Sequence, residues 1–366
     1  MVDEIINLVT PGVRGLQPYI PGKPIEELER EYGVKNAIKL ASNENPLGPS
    51  PKALAAAQTA LKEIARYPDG GGFALKRALA AKLGVQASQI TLGNGSNDIL
   101  EFVTRSFVTA QDEVIFSQHA FAVYPIVTQA VGAKAVEVPA RNWGHDLNAM
   151  RAAITPRTRL VFIANPNNPT GTWLRNKELR EFLDAVPAKV IVVLDEAYFE
   201  YVEENDYPNC IEWLAHYPNL VCARTFSKIY GLAGLRVGYG VSSVTIADVL
   251  NRVRQPFNVN SIAQAAAIAA LADVEHVQKT RRLNSDGMLQ LINGFKELNL
   301  TFIPSVGNFV CVEVGEALAI YERLLRAGVI VRPVANYGMP RYLRVTVGLP
   351  QENQRFLEAL KTALEN

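Results

Sequence analysis

Cysteine is scarce in this chain: Cys210, Cys222 and Cys311 are the only three, widely spaced and without a CxxC pair. Neither a disulfide framework nor a zinc knuckle is therefore expected. The four histidines, His119, His145, His216 and His276, are scattered and form no HExxH, which argues against a metal site. Charge of either sign is not in excess. The net value of +1 predicts no bulk pull toward nucleic acid or a membrane surface. Long apolar runs are missing as well, since the most apolar, Val190 to Leu194, is far too short to span a bilayer. No basic region followed by an apolar stretch opens the chain, so a cytoplasmic location is expected. Internal repeats and low-complexity segments are lacking too.

What is present fits a globular protein that handles small molecules. Hydrophobic residues make up 48% and charged residues 20% of 366 residues, a length that suggests two domains. The first forty or so residues are rich in Pro and Gly and read as an extended arm. Ser50-Pro51 caps and starts a helix. Strand and helix then alternate. Strands are expected at Ile90–Leu92, Glu113–Phe116, Ala135–Val138, Leu160–Ala164 and Val190–Leu194. Helices are expected at Phe73–Leu83, from about Asn97, near Tyr124–Val131 and at Asn176–Ala185. The last strands are continuous β-branched runs, as suits strands buried on both faces of a mostly parallel sheet. The pattern predicts a large α/β domain. Beyond it, helices at Ser261–Leu271, Arg281–Leu298, Ala317–Ala327 and Glu352–Leu364 mix with strands at Thr301–Pro304, Phe309–Val314 and Leu343–Val347. That mixture predicts a smaller α+β domain. The expected division is an arm over 1–45, a large domain over 46–255 and a small one over 256–366.

Four segments carry chemistry. In Thr225-Phe226-Ser227-Lys228-Ile229-Tyr230-Gly231, a lysine follows an apolar strand among hydroxyls and a glycine, with Arg236 close behind. A lysine that forms a Schiff base must lose its proton near neutral pH, and burial beside positive charge favours that loss. Arg236 offers a planar fork to a phosphate. By itself the segment also suits a surface lysine in a loop. In Val190-Ile191-Val192-Val193-Leu194-Asp195-Glu196-Ala197-Tyr198, an apolar strand ends in a carboxylate. Ligands gather at such strand ends, where an Asp can hold a proton on a pyridine nitrogen; an Asp capping the next turn is the plainer alternative. Asn165-Pro166-Asn167-Asn168-Pro169-Thr170-Gly171 is a loop stiffened by two prolines, able to hold an asparagine amide still, or else an ordinary turn. Gly93-Asn94-Gly95-Ser96-Asn97-Asp98 joins strand to helix. It lacks the third glycine of a dinucleotide fingerprint and the Gly-Lys-Ser/Thr of a P-loop, and a single-phosphate cradle fits it better.

In this order the four segments resemble the fold-type I pyridoxal-phosphate aminotransferases. The resemblance runs nearly end to end. Within that superfamily, Ser42-Asn43-Glu44-Asn45-Pro46 and Arg66-Tyr67-Pro68 are similar to the histidinol-phosphate aminotransferase family. The resemblance implies pyridoxal 5'-phosphate on Lys228, Asp195 on its pyridine nitrogen, and Tyr198 and Asn168 on its ring oxygen. Phe121 would stack on the ring where many relatives have tyrosine. Ser96, Asn97, Thr225, Ser227 and Arg236 would hold the phosphate, and Tyr67 would reach the phosphate in the neighbouring subunit of a homodimer. Arg344 would grip the carboxylate of glutamate or 2-oxoglutarate. Arg332 and Tyr19 would join Arg344 on the phosphate of L-histidinol phosphate, and Asn43 and Asn308 would line the same pocket. The implied reaction converts L-histidinol phosphate and 2-oxoglutarate to imidazole-acetol phosphate and L-glutamate, in histidine biosynthesis. Alternatives are an aromatic amino acid aminotransferase on the same scaffold, a decarboxylase of the same superfamily acting on a threonine phosphate, and a coenzyme-binding regulator without catalysis. Against the last, Lys228 and Asp195 are intact and no DNA-binding module is appended.

Overall fold

A computed structural model describes residues 2–365. In chain order its strands are β1 (Ile38–Lys39), β2 (Ile90–Gly93), β3 (Glu113–Ser117), β4 (Lys134–Val138), β5 (Thr158–Ala164), β6 (Ile191–Asp195), β7 (Leu220–Thr225), β8 (Gly238–Ser242), β9 (Phe302–Ile303), β10 (Phe309–Glu313), β11 (Val329–Ile330), β12 (Arg332–Pro333) and β13 (Tyr342–Thr346). Seven of them form the main sheet in the order β2-β8-β7-β6-β5-β3-β4. The β7-β6-β5-β3-β4 run is parallel, and β8 is antiparallel to both its neighbours.

The continuous apolar runs of β5 and β6 follow from burial on both faces. Leu160 and Phe162 pack into one core layer with Ile191 and Val193, while Val161 and Ile163 pack into the other with Val192 and Leu194. Register pairs Ala164 with Asp195, so the asparagine-rich loop and the strand-end carboxylate leave the sheet side by side. The expected Ala-rich helix spans Ser261–Ala272 and lies in the main core through Ala263, Ala266, Ala267 and Ala270. Its small side chains let it pack closely on the helix Pro51–Ala60, which Ser50 caps by accepting from the Ala53 N–H at 3.1 Å.

A second sheet, in the order β12-β13-β10-β9, is antiparallel throughout. It carries its own core, built from Val310, Val312, Leu343 and Val345 against Leu291, Phe295, Phe356 and Leu360. The chain's N-terminal part joins this side of the molecule. Strand β1 pairs in parallel with β11, and the Thr346 N–H donates to the Leu40 carbonyl at 2.8 Å.

Three expectations need correction. The first forty residues are not extended throughout, because helices occupy Val2–Ile6, Pro11–Arg14 and Ile25–Tyr32. The last of these has Glu26 and Glu27 in its first turn and ends at Gly33 in the left-handed conformation, φ +66°. It buries Leu28 completely against Ala41, Leu325 and Ile330. The helix expected from Arg281 starts earlier and runs over Val274–Glu297. Finally, Cys210 and Cys222 are joined by a disulfide inside the main core. Cys210 opens a short 3-10 turn that packs against β7, and two lone cysteines carry no spacing signal for such a pairing.

Candidate active site

The carboxyl ends of β5, β6 and β7 meet at one cavity of about 620 Å³, walled on its far side by the second sheet and by residues 13–22 of the arm. Asp195 ends β6 and is buried. Its Oδ2 accepts from the Tyr124 hydroxyl at 2.9 Å, while its Oδ1 has no partner among the described protein atoms. Burial pushes this carboxyl up to about 6, against the opposing pull of Tyr124 and the Ala197 N–H. A buried carboxylate oxygen with a vacant lone pair beside a cavity suits a protonated ring nitrogen.

Lys228 follows β7 and its Nζ donates to the Ser42 carbonyl at 3.2 Å. Burial pushes the amine down to about 7; Arg344 and Arg236 act in the same direction, and Glu44 and Asp195 oppose them. A neutral amine is therefore populated near neutral pH, as nucleophilic attack on a carbonyl requires. Its Nζ lies 5.5 Å from the centre of the Tyr198 ring. Tyr198 is buried, and burial raises its phenol so that it keeps its proton.

At another edge of the cavity, hydroxyls and backbone donors converge. Ser96 begins the helix Ser96–Phe107, whose first-turn N–H groups have no intrahelical acceptor. The Thr225 and Ser227 hydroxyls are 3.0 Å apart, and Arg236 Nη1 reaches Ser227 Oγ at 3.4 Å. Gly95 precedes the helix at φ +83°, and a Cβ there would stand 2.6 Å from Arg236 Nη2, so only glycine leaves the guanidinium its place. Asn97 lines the cavity from the helix's first turn. Donors grouped at a helix N-terminus with an arginine suit a phosphate.

The second sheet contributes two buried arginines. Arg344 lies on β13 and donates to the Ala41 carbonyl at 2.6 Å and to Asn168 Oδ1 at 2.5 Å, while its Nε has no partner among the described protein atoms. Arg332, its cross-strand partner on β12, donates to the Ile20 carbonyl at 2.7 Å and sits 5.8 Å from the centre of the Tyr19 ring. Phe121 lines the cavity and packs edge-on against Tyr124. Asn43 also lines it and donates to the Tyr198 oxygen at 2.8 Å.

Fourteen of the residues singled out from the sequence thus surround one cavity, and two do not. Asn308 lies behind the 42–45 segment and donates to the Asn43 carbonyl at 3.1 Å rather than facing the cavity. Tyr67 is 83% exposed and stacks on Phe257 with 4.7 Å between ring centres, away from its own chain's cavity. Sequence reasoning passed over Tyr124, which holds Asp195 across 71 residues. It also passed over the apolar wall of Val13, Leu16, Val123 and Ile126. The Tyr124 contact is not local and has no spacing signal; Val13 and Leu16 were hidden because the arm reads as plain loop, and Val123 and Ile126 because apolar residues on the helix Val123–Ala130 read as ordinary core.

The family Aminotransferase class I and II matches residues 35–360. A histidinol-phosphate aminotransferase 2 of Pseudomonas fluorescens is 63% identical over 100% of this chain and 99% of the relative. A histidinol-phosphate aminotransferase 1 of Nitrosococcus oceani is 60% identical over 98% of this chain and 97% of the relative. Among solved structures, the histidinol-phosphate aminotransferase of Sinorhizobium meliloti in complex with pyridoxal-5'-phosphate superposes with a TM-score of 0.91. It is 33% identical, and the match covers 98% of this chain and 97% of that one.

Proposed function

We propose, for a chain that belongs to the class I and II aminotransferases and within them to the histidinol-phosphate aminotransferases, that it moves the amino group of L-histidinol phosphate to 2-oxoglutarate. The products are imidazole-acetol phosphate and L-glutamate, and the place of the reaction is histidine biosynthesis. The observation that carries this reading is the cross-strand pair of buried arginines facing a low-pKa lysine and a buried carboxylate in one cavity. One arginine serves a carboxylate and both serve a phosphate, so the same pocket takes a dicarboxylate in one half-reaction and a phosphate ester in the other.

The enzyme uses pyridoxal phosphate, which when bound supplies an electron sink that makes the proton on a substrate Cα labile. The roles of this chain's residues are part of the proposal. Lys228 would hold the coenzyme, and its amine of lowered pKa is the general base that would move the Cα proton. Asp195 keeps a proton on the pyridine nitrogen, with Tyr124 holding the carboxylate in place. Tyr198 and Asn168 donate to the ring oxygen, and Arg344 fixes the Asn168 amide so that its NH2 is the end left to donate. Phe121 stacks on the ring. Ser96, Asn97, Thr225, Ser227 and Arg236 bind the phosphate of the coenzyme. Arg332 and Tyr19 bind that of the donor, and the apolar wall of Val13, Leu16, Val123 and Ile126 excludes water from its ring.

We also place the chain in a homodimer, in which Tyr67 reaches the partner's coenzyme. The exposed apolar residues Leu61, Ile64, Tyr67, Phe73 and Phe257 support that assembly, since side chains of this kind are normally covered. The proposed division is residues 46–255 as the large domain and 256–366 as the small one, with the arm over 1–45. Among the described residues no helix is long and apolar enough to cross a membrane, and we assign the enzyme to the cytoplasm. Mixing the yellow holoenzyme with L-histidinol phosphate, L-glutamate and L-phenylalanine in turn tests the substrate. Fast loss of the coenzyme band with the first two is expected; a faster loss with phenylalanine would assign the pocket to aromatic amino acids instead.

A further inference from the structure

Thr346 lies on β13, two residues beyond Arg344, and is buried. Its hydroxyl meets Asn43 twice. It accepts from the Asn43 backbone N–H at 2.9 Å and donates to Asn43 Oδ1 at 3.1 Å. A threonine hydroxyl has a single proton, and here that proton is committed to the amide oxygen. The amide is thereby held one way round, with Nδ2 facing Tyr198 at 2.8 Å. An amide NH2 only donates, so the Tyr198 oxygen accepts and its own proton must point away from Asn43. The backbone of Asn43 is fixed as well, at φ +54° and with its carbonyl accepting from Asn308. Asn43, Tyr198 and Thr346 are each no more than 3% exposed, so these bonds are kept out of bulk water.

We propose that Thr346 is a positioning residue: acting through Asn43, it aims the Tyr198 hydroxyl into the cavity at the ring oxygen of the coenzyme. This rests on the reading of the site given above. Without the Thr346 hydroxyl the Asn43 amide is free to turn over. Its oxygen then faces Tyr198, the phenol donates to it, and the cavity loses a donor. A donor at the ring oxygen favours the unprotonated link between coenzyme and Lys228, so its loss raises the pH at which that link titrates. The charged and titratable groups that face Lys228 and Tyr198, namely Arg344, Glu44, Arg236, Asp195 and Tyr337, are left in place by a change at Thr346.

The test is a spectroscopic pH titration of the holoenzyme. Thr346→Val is expected to move the midpoint of the coenzyme absorbance change upward by about one pH unit, the size of one lost hydrogen bond. Thr346→Ser keeps the hydroxyl and should titrate close to the parent. In a Tyr198→Phe background, Thr346→Val should move the midpoint no further, because the two residues act in series. Should the valine variant fail to fold, Thr346→Ala, which also lacks the hydroxyl, gives the same reading. A valine or alanine variant that titrates like the parent overturns the inference, as does a serine variant that shifts as far as valine. A parent protein that develops no absorbance band with pyridoxal phosphate overturns the underlying reading of the site, and the two failures are thus told apart.

Discussion

Arg332 and Arg344 are Cα partners on adjacent antiparallel strands, and both guanidiniums are buried at the edge of the same cavity. Like charges so placed repel each other, and the fold offsets this with carbonyl acceptors, Ile20 for one and Ala41 for the other. A pocket that sustains such a pair is prepared for a doubly charged anion.

Arg332→Ala separates the two half-reactions. A charge-assisted hydrogen bond is worth roughly 1.5–3 kcal/mol, so kcat/KM for L-histidinol phosphate should fall by about 10- to 150-fold. The half-reaction with glutamate should fall far less, because Arg344 stays in place. Single-turnover rates with each donor check this, and an equal loss for both would show that Arg332 does not read the phosphate.

Asp195→Asn keeps the shape of the site and removes its charge. Turnover should fall by at least about 10²-fold, the usual cost of removing one preorganised electrostatic partner. The apoprotein should behave in the opposite sense. Burial raises the Asp195 carboxyl to about 6, so its folded pKa lies above its unfolded one and the ionised form costs stability above that range. At pH 8 the melting temperature of the Asp195→Asn apoprotein is expected to equal or exceed that of the parent. Calorimetry of the two would sink the idea if the variant melted several degrees lower.

Lys228 sets a pH dependence for coenzyme capture. Its amine is pushed down to about 7, below the ordinary lysine range, so the proton is bound below that pH and absent above it. Only the neutral amine attacks an aldehyde. The rate at which apoprotein takes up pyridoxal phosphate should rise about tenfold per pH unit below 7 and level off above it. Stopped-flow absorbance measures it, and a rise that continued to pH 10 would place the amine in water rather than in this cavity.

Gly95→Ala probes the phosphate cradle. The position has φ +83° and the new methyl would stand 2.6 Å from Arg236 Nη2. Backbone strain of about 1–2 kcal/mol together with displacement of Arg236 should weaken coenzyme binding by at least about tenfold. The intensity of the Lys228 link at saturating coenzyme should be largely retained. Equilibrium titration of the apoprotein decides between this and an unchanged affinity.

Some of this architecture was legible from residues alone. Asp195 ends an uninterrupted apolar run and Lys228 comes shortly after a strand that opens with one, and strands buried on both faces end where ligands bind, so polar residues there stand out. The Ser50 cap was readable because Ser-Pro before an apolar stretch has a local mechanism. Local signals failed where the neighbourhood misled. The helix Ile25–Tyr32 has an acidic first turn and a terminal Gly33, yet it sits among prolines and glycines that suggest a loop. Contacts made across the fold left no trace. Nothing near Tyr124 points to Asp195, nothing near Thr346 points to Asn43, and nothing in their spacing joins Cys210 to Cys222.

The short stretch from Leu40 to Asn45 works as a stitch between the two sheets. Its carbonyls take Thr346 and Arg344 from one side and Lys228 from the other, while the side chains of Asn43 and Asn45 reach Tyr198 and the Ile229 carbonyl. The acceptors of Arg344 and Lys228 are thus consecutive carbonyls, those of Ala41 and Ser42, so the anion-binding arginine and the lysine hang on neighbouring links of one backbone. One short segment therefore holds in register the group that meets the anion and the group that meets the carbonyl.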